Sequence, residues 1–487
     1  VNTPNIGMYT DKDTITLENN GTIEGGDKTV GIYGHNVNLG ASSLTKVGAG
    51  GTGVYSKGGN VIINGGTLSV GENGTTGSND AVGVYYVGAG GTITNNAANV
   101  KIGNSAYGFV VQNENGAAVT LTTNTANVTL GEDAVYAYSN NKAGSITNGT
   151  TLTSTGDGNY GIYGAGTVTN NGQMNFGTGI GNVGIYSTYG GRATNLAGRN
   201  ITVGASYKDP TDPLKDRYAV GMAAGFNGDG NPAKAYTGNI VNEGTINVNG
   251  KYSIGMYGTE AGTKVYNGTA PGSLATINLG ASNTTGMYLD NGAYGYNYGT
   301  IKSTGTGLSK VVGIVVKNGS TIENHGKIEI TAEDGIGILS KGNAAGANPG
   351  IIKNYGTFNI NGVTDPTSSS VIKKDDGGQD LGKTMGKVKI DVPAGSTVGT
   401  ITVNGKPVVP TLATTTAKEY KDMELSNIGM YIDTSNKRFT NPINGLSALT
   451  GLKTADLIMG NEAAQNTTSK YIQVDQKILK PYNEMIK

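Results

Sequence analysis

The residue types that most often carry out chemistry in proteins are sparse in this chain. It has two histidines and no cysteine in 487 residues, and His35 and His325 are far apart, each in or beside a turn. A serine nucleophile of the protease type would need a Gly-Asp-Ser-Gly frame with His and Asp partners, and the sequence has no such frame. Asp, Glu, Lys and Arg are scattered, with no paired carboxylates near an arginine. We therefore expect no catalytic residues, no metal site and no cofactor.

Tyrosine is the first candidate for binding. It closes a four-residue anchor, Val-Gly-Ile-Tyr or a close variant, that returns about every 22 to 37 residues. The tyrosine has the opposite strand parity to the buried Ile or Met, so it should face outward. The residues expected to form an exposed aromatic ladder are Tyr33, Tyr55, Tyr85, Tyr163, Tyr186, Tyr257 and Tyr288. Such a stripe could hold sugars or another protein; alternatively, the rings only stack and shield the sheet.

Two irregular loops are the second candidate for binding. Mixed charge and proline suit recognition loops carried on a rigid scaffold, and we expect the two loops to leave successive coils and lie side by side. The alternative is a tolerated insertion without a ligand. A calcium role for the one acidic residue of the second loop would lack the spacing of an EF-hand. The candidate ligand-binding residues are Lys208, Asp209, Asp212, Lys215 and Arg217 in the first loop and Asp229 in the second.

Short strands and sharp corners must position these residues. Apolar residues alternate with polar ones, as in Thr245–Asn249, which is the period of a strand with one buried face. Asn and Gly mark the corners, because both tolerate positive φ and an Asn amide can bond its own backbone. The corner motif Asn-x-Gly-x-(Ile/Met/Phe) keeps its spacing in copies that begin at Asn19, Asn170, Asn242, Asn297, Asn324 and Asn354. The pattern predicts an all-β fold, a right-handed parallel β-helix of about fourteen or more coils.

The solenoid is expected to span residues 1–429. Loop insertions near 205–236 and 363–386 interrupt it, and Ala134-Val135-Tyr136 is counted as a degenerate anchor. In residues 430–487 Leu replaces Val and the loops lengthen. A solenoid needs an atypical segment over its last coil, since an open strand edge would template aggregation. We therefore predict that 430–487 is a C-terminal cap.

Composition narrows the class of protein. Gly is 82 of 487 residues but Pro only 12, which differs from the Pro- and Gly-rich composition of disordered chains. Lys and Arg balance Asp and Glu, 35 against 35, which argues against nucleic acid or an anionic membrane as partner. No apolar run approaches the roughly 20 residues of a spanning helix. The lack of cysteine fits either drift or export of an unfolded chain.

The coils, the Asn-x-Gly-Thr-Ile corners and the tail resemble a known family. The most specific part is the tail, which runs from Ile428-Gly429-Met430-Tyr431 to Ile458-Met459-Gly460. It resembles the membrane-proximal passenger of the large fusobacterial type V autotransporter adhesins, the RadD-like group. The resemblance implies export through a C-terminal outer-membrane barrel, which would lie beyond this sequence, and an autochaperone-like role for 430–487.

Together these observations predict a non-catalytic bacterial surface adhesin. It would be a monomer at the cell surface, anchored to the outer membrane or released by cleavage, and would act in coaggregation and virulence. Its partner would be a cell-surface protein or glycan of another bacterium or of a host cell, and it would meet the membrane only through the barrel. The alternatives are a polysaccharide-active enzyme on the same fold and a purely structural stalk for a distal binding head.

Overall fold

The computed structural model describes residues 5–71, 80–226, 236–342, 348–366 and 368–375, together with the backbone of several strands between 388 and 459. The chain divides into two units. The first comprises Val1–Ile352 with Gly356–Gln379, and the second comprises Lys353–Tyr355 with Asp380–Lys487. Among the described residues there is no helix whose length and apolar character would let it cross a membrane.

Three parallel sheets make up the described part of the first unit. Successive strands of the chain go to sheet 1, sheet 2 and sheet 3 in turn, and each pairs with the equivalent strand of the next coil. Sheet 1 has 14 strands and sheets 2 and 3 have 13 each. The predicted right-handed parallel β-helix is confirmed.

The strand bounds follow the chain through each sheet. Sheet 1 contains Ile6–Tyr9, Val30–Gly34, Thr52–Ser56, Val82–Tyr86, Tyr107–Val111, Val135–Ser139, Tyr160–Gly164, Val183–Ser187, Val220–Ala224, Ile254–Thr259, Thr285–Asp290, Val312–Lys317, Ile336–Lys341 and Ile372–Asp375. Sheet 2 contains Thr16–Asn19, Asn36–Leu39, Gly59–Ile63, Gly91–Asn95, Val119–Thr123, Ser145–Asn148, Thr167–Asn170, Arg192–Asn195, Asn239–Asn242, Lys264–Asn267, Tyr294–Asn297, Thr321–Asn324 and Ile351–Asn354. Sheet 3 contains Thr22–Glu24, Leu44–Val47, Thr67–Val70, Asn99–Ile102, Asn127–Leu130, Thr151–Ser154, Met174–Ile180, Asn200–Ala205, Thr245–Val248, Thr276–Leu279, Thr300–Ser303, Lys327–Ile330 and Thr357–Ile360. A short 3₁₀ helix, Pro213–Lys215, lies in the loop before Val220–Ala224.

Apolar side chains from all three sheets fill the interior. The register places Ile32 directly against Val54 in sheet 1 and Ile246 against Ile277 in sheet 3, and all four are fully buried. Burying one such side chain contributes about 1.5 to 3 kcal/mol. The interior is therefore a narrow column in which each coil stabilises its two neighbours.

The glycine of the anchor has a steric cause. A Cβ added to Gly184 would lie 2.5 Å from the carbonyl oxygen of Gly221 in the next coil and 2.7 Å from Cγ2 of the buried Ile201. Gly184 and the fully buried Ile185 thus both face the interior, where only one of them has room for a side chain. Tyr186, the next residue, consequently faces outward.

One coil has a different pair of residues at the glycine and isoleucine positions of the anchor. The register pairs Phe109 with Ala137, so Tyr136 occupies the glycine position. Its ring is fully buried and packs edge-on against Phe109 with ring centroids 5.6 Å apart, and its hydroxyl hydrogen-bonds Thr150 at 3.0 Å. A large and a small residue have exchanged places. The interpretation of Tyr136 as the closing tyrosine of an anchor was wrong; Tyr138 has that position.

Buried asparagines explain the corner motif. In seven successive coils the last residue of the sheet 2 strand is an asparagine, and Nδ2 of one donates to Oδ1 of the next over 2.7 to 3.0 Å. Each such bond contributes about 0.5 to 1.5 kcal/mol. At Asn170 the same Oδ1 also accepts the N–H of Gly172, the local turn expected from the sequence. The ladder comprises Asn148, Asn170, Asn195, Asn242, Asn267, Asn297 and Asn324, all fully buried.

The chain near the predicted second insertion contains one more strand of sheet 1. Ile372–Asp375 lies within 363–386 and pairs with Ile336–Lys341. It carries no Gly-Ile-Tyr anchor, which is why the sequence indicated only a loop there.

The second unit contains a mixed sheet. Its central strand, Asn427–Asp433, pairs in antiparallel fashion with Ile401–Val403 and Arg438–Phe439 and in parallel with Thr454–Met459. Ile401–Val403 also pairs with Lys406–Val408, and Val388–Ile390 pairs with Lys418–Tyr420. The anchor at Ile428, which the sequence placed at the end of the solenoid, is in this central strand.

Candidate functional site

The outer face of sheet 1 carries most of the tyrosines singled out from the sequence. Neighbouring coils place Tyr9, Tyr33, Tyr55 and Tyr85 in one column. Ring centroids are 5.3 Å apart for Tyr9 and Tyr33, 5.1 Å for Tyr33 and Tyr55 and 5.4 Å for Tyr55 and Tyr85. The column then meets Val110, which ends the first run of rings.

A second run begins with Tyr138, which the sequence reading did not identify. Tyr138 lies 5.4 Å from Tyr163, and Tyr163 lies 4.9 Å from Tyr186 with an interplanar angle of 10°. Ala223 follows at the same position. Tyr257 and Tyr288 then form a third pair with centroids 5.9 Å apart. The predicted ladder thus consists of three runs separated by Val110 and Ala223.

The three rings of the second run are half-buried, and this burial changes their pKa. Burial raises the pKa of Tyr138 to about 12, with Tyr189 and Glu114 acting in the same direction. Burial also raises the pKa of Tyr163 and Tyr186. Burial thus keeps these three phenols protonated to higher pH than an ordinary tyrosine, and a protonated hydroxyl group can donate as well as accept hydrogen bonds.

The corner between sheets 1 and 2 adds further rings beside the second run. Tyr189, two residues after the strand Val183–Ser187, lies 4.4 Å from Tyr236. Tyr236 stacks with Phe226 at 6.3 Å, and the two form an antiparallel bridge. An ion pair of 2.7 Å joins Lys142 to Glu114, whose charge also influences Tyr189. Aromatic rings and both signs of charge meet at this corner.

The loop from 206 to 218 is held by its own acidic side chains. Asp209 accepts the N–H of Thr211 at 2.9 Å, the hydroxyl of Thr211 at 2.8 Å and the N–H of Asp212 at 2.9 Å. These bonds lower the pKa of the Asp209 carboxyl. Asp212 accepts the N–H of Leu214 at 3.0 Å, and Asp216 accepts the N–H of Asp209 at 2.8 Å. Asp209 and Asp212, two of the predicted ligand-binding residues, thus use their carboxylates for hydrogen bonds within the loop.

The basic residues of this loop differ in their contacts. Arg217 forms a 3.5 Å ion pair with Asp133 from an earlier coil, and Lys215 lies 3.6 Å from Asp212. Lys208 is exposed. The tip residue, Leu214, is 95% exposed. The loop therefore presents an exposed leucine between lysines on a fixed backbone, a feature that the sequence reading missed because it considered only charged residues.

Four side chains on the outer face of sheet 1 form a buried apolar cluster. Val183, Val220 and Ile254 form a small apolar cluster with Ala223 and are no more than 9% exposed. The equivalent first residues of most other sheet 1 strands are half-buried. The side chains that pack against this cluster are Tyr160, Tyr186, Tyr257 and Tyr288, so the cluster lies beside the second and third runs of rings.

The two loops flank one strand in the sequence: the first precedes Val220–Ala224 and the second follows it. Residues 227–235, which include the candidate Asp229, lie outside the described part of the chain.

The described acidic residues and histidines were compared with the arrangements that metal binding and catalysis require. The described ranges contain no group of three or more His, Cys, Asp or Glu side chains that could hold a metal ion. The pairing of Asp133 with Arg217 is a carboxylate beside an arginine that the sequence did not reveal, since the two residues come from different coils. His325 is on sheet 2's side of the coil, where it stacks on Tyr298 at 4.8 Å.

Comparison with known proteins gives a family for this architecture. No curated protein and no solved structure matches the chain. The family model described as the BigA third pectate lyase-like domain matches residues 33–299, which include all three runs of sheet 1 tyrosines from Tyr33 onward and the 206–218 loop. The match extends over more than half of the 487 residues. The chain therefore belongs to the family of the BigA third pectate lyase-like domain.

Proposed function

We propose that this chain is part of the passenger of a bacterial surface protein of the autotransporter type and that it attaches the cell to other cells. The family assignment supports a surface passenger. The finer points are proposals that rest on the sequence resemblance: a RadD-like fusobacterial adhesin, type V secretion, anchoring in the outer membrane by a barrel, and a role in coaggregation and virulence.

The tyrosine face of sheet 1 is the single observation that carries the attachment role. Tyr138, Tyr163 and Tyr186 stack at 5.4 Å and 4.9 Å, and Tyr189 and Tyr236 extend the aromatic surface at the corner. Aromatic residues are enriched in binding surfaces, because one ring supplies a large contact area at low cost in conformational entropy. A β-helix holds such rings rigidly, so little ordering is needed when a partner binds.

The 206–218 loop would add a second contact. Its backbone N–H groups donate hydrogen bonds to the carboxylates of Asp209, Asp212 and Asp216, which fix the loop. Leu214 and Lys208 project into solvent. A protruding apolar side chain flanked by positive charge suits an apolar pocket with an acidic rim. The proposed partner is a cell-surface protein or glycan, and the proposed state is a monomer without catalytic activity.

The test is inhibition of cell attachment by the purified chain. Bacteria that display the protein are mixed with partner cells, and coaggregation is measured as a function of added protein. Two variants probe the two contacts: Tyr163→Val, which introduces the residue type that Val110 has at the same column position, and Leu214→Ser. Leu274→Ser is the matched control, since Leu274 is 92% exposed at a different corner.

We expect the wild-type chain and the Leu274→Ser variant to inhibit coaggregation equally and the Tyr163→Val variant to inhibit at least tenfold less well. Equal inhibition by Tyr163→Val would exclude this face as the contact. No inhibition by the wild-type chain would reduce the role to that of a stalk. Release of reducing ends from added polysaccharides would instead favour an enzyme. A groove of about 410 Å³ on sheet 3 does not support that alternative, because it is lined by Asn, Lys, Thr, Val, Ile and Gly and has no acidic residue that could act as a general acid or base.

A further inference from the structure

The outer face of sheet 2 changes character in three neighbouring coils. Along one column of this face, the register runs through Thr94, Thr122, Thr147, Thr169 and Thr194. Val241 follows, and the next two coils place Tyr266 and Tyr296 at the same position. Threonine suits an exposed strand position without any further role. Its replacement by large rings over successive coils therefore needs a separate explanation.

These rings form one connected cluster, which we call the sheet 2 platform and define as Tyr266, Tyr294, Tyr296, Tyr298 and His325. Tyr266 and Tyr296 stack at 4.7 Å with an interplanar angle of 3°. Tyr294 is on the same strand as Tyr296, and the centroids of their rings are 4.8 Å apart. Tyr298 directly follows this strand, and the centroid of its ring is 6.2 Å from that of Tyr296. His325 stacks on Tyr298 at 4.8 Å and 14°. The rings thus extend over three coils, with nearly parallel planes except for Tyr294, which is tilted by 31° from Tyr296.

A carboxylate lies among the rings. Glu323 follows Tyr296 in the column, accepts a hydrogen bond from the hydroxyl of Tyr294, and has its Oε2 3.5 Å from Nε2 of His325. The side chains of Glu323 and His325 are only 22% and 26% exposed. The rotamer of this carboxylate is therefore fixed by contacts on two sides, at the centre of an aromatic surface.

The backbone beneath the platform is shaped so that the tyrosines stay on the surface. Gly295 occupies the inward position between Tyr294 and Tyr296, and a Cβ there would lie 2.5 Å from Cδ1 of the buried Leu289. Leu289 fills the space that a side chain at Gly295 would take. The strand can thus carry two outward rings without competing for volume in the core.

The composition of this surface indicates the chemistry of its ligand. Phenol hydroxyls, an imidazole and a carboxylate stand between apolar ring carbons, so directional hydrogen-bonding groups alternate with flat apolar area. A sugar has the complementary pattern of apolar C–H faces and hydroxyl groups. Lys264, which pairs with Tyr294 in the register, and Glu323, which pairs with Tyr296, carry opposite charges, so these two residues give the surface no net charge that would select a strongly charged ligand. Coils spaced about 4.8 Å apart favour several linked sugar units over a single one.

We propose that the sheet 2 platform is a binding site for a neutral oligosaccharide, with the rings contacting the sugar faces and Glu323 accepting hydrogen bonds from sugar hydroxyls. This site is on a different face of the coil from the tyrosine column of sheet 1. It goes beyond the attachment role proposed above, because a purified chain can bind sugars whether or not it mediates contact between cells.

The experiment is isothermal titration of the full chain with neutral hexasaccharides: cellohexaose, maltohexaose and N-acetylchitohexaose. The main variant is Tyr294→Thr with Tyr296→Thr, which introduces the residue type present in the equivalent columns of earlier coils. Glu323→Gln keeps the shape of the side chain and removes its charge. Tyr252→Asn is the matched control, since Tyr252 is 42% exposed at the corner between sheets 3 and 1 and its positive φ is one that asparagine tolerates. Far-UV circular dichroism verifies that each variant is folded.

We expect at least one hexasaccharide to bind the wild-type chain and the Tyr252→Asn variant alike. Its Kd should rise at least tenfold in the double threonine variant and measurably in Glu323→Gln. The proposal is overturned if none of the three sugars binds, if binding survives the double threonine change, or if Tyr252→Asn weakens binding as much. Loss of coaggregation in the double threonine variant without any sugar binding would assign the platform to a protein partner instead. Because the sugar titration contains no cells, its outcome is independent of the coaggregation test for sheet 1.

Discussion

The exchange of residues at Tyr136 and Ala137 leads to a prediction that tests the packing of the coil. Other coils have glycine followed by a large apolar residue at these two positions, whereas here tyrosine is followed by alanine. We consider the single changes Tyr136→Gly and Ala137→Ile and the double change that restores the common anchor. If one interior volume is shared by the two positions, the double variant must be more stable than the sum of the single effects indicates.

The magnitudes follow from burial. Tyr136 is fully buried, contacts Phe109 and hydrogen-bonds Thr150, so its removal should cost about 3 to 5 kcal/mol in the free energy of unfolding. Ala137→Ile alone adds three carbons to a filled space and should cost about 1 to 3 kcal/mol. In the double variant the isoleucine would fill the space that the ring leaves. We expect a favourable coupling energy of at least about 2 kcal/mol.

Native-state hydrogen exchange read by mass spectrometry is the appropriate assay, because a chain of stacked repeats does not have to unfold in one step. Peptides from the coil that contains Tyr136 and from its two neighbours give the local free energy of opening for each variant. The control is Tyr138→Thr, an outward-facing change next to the same site, which should have a much smaller effect. Strictly additive costs in the double variant would refute the shared-volume explanation.

Three further predictions concern the ladder, the rings and the loop. Asn267→Ala removes two ladder bonds of 2.9 Å and 2.8 Å and leaves buried polar atoms without those partners. Hydrogen exchange in this coil should show a loss of about 3 to 4 kcal/mol in the local free energy of opening, while exposed Asn175→Ala should stay within about 0.5 kcal/mol in its own coil. Equal effects would contradict the role of the ladder. Because the pKa of Tyr138 is raised to about 12, the contribution of its protonated phenol to stability is complete below about pH 10, the ordinary pKa of tyrosine, and is lost as pH rises through about 12. Ultraviolet titration of Tyr138→Phe should show one late-ionising phenol fewer than the wild-type chain, and an unchanged curve would contradict the raised pKa of Tyr138. Because the pKa of Asp209 is lowered in the folded protein, its ionised carboxylate stabilises the loop above the ordinary pKa of a carboxyl group, and this stabilisation is lost as pH falls through the pKa of the folded state. Asp209→Ala should therefore accelerate trypsin cleavage after Lys215 at neutral pH. An unchanged rate would show that the loop is held by other contacts.

The fold could be predicted from the sequence because its determinants are local and repeated. A coil of a β-helix is specified by one anchor and one corner, and each appears in the sequence at fixed internal spacing. Gly184 and Ile185 show why the anchor must have its particular order, since two consecutive residues face the interior and only one can have a side chain. Asn170 shows why the corner begins with asparagine, which both turns the backbone and joins the ladder.

Contacts between coils were much harder to predict. The ion pair of Arg217 with Asp133 depends on the path of an irregular loop, and no periodic signal reports that path. Tyr138 was missed because the coil exchanges its large and small interior residues, which shifts the apparent anchor by two positions. The alternation Tyr294-Gly295-Tyr296 was visible in the sequence as a strand pattern, but only the register of neighbouring coils shows that Tyr266 and His325 belong to the same surface.

The stacking of equivalent residues also affects how such a protein can evolve. Each coil contacts mainly the coil before it and the coil after it, so duplication or deletion of one coil leaves all other interfaces as they were. One such event changes the length by about 4.8 Å and at the same time adds or removes one position in every column, interior and exterior. A lineage can therefore adjust reach and number of surface sites in single steps of gene duplication, without the simultaneous compensating substitutions that enlarging a globular core would require.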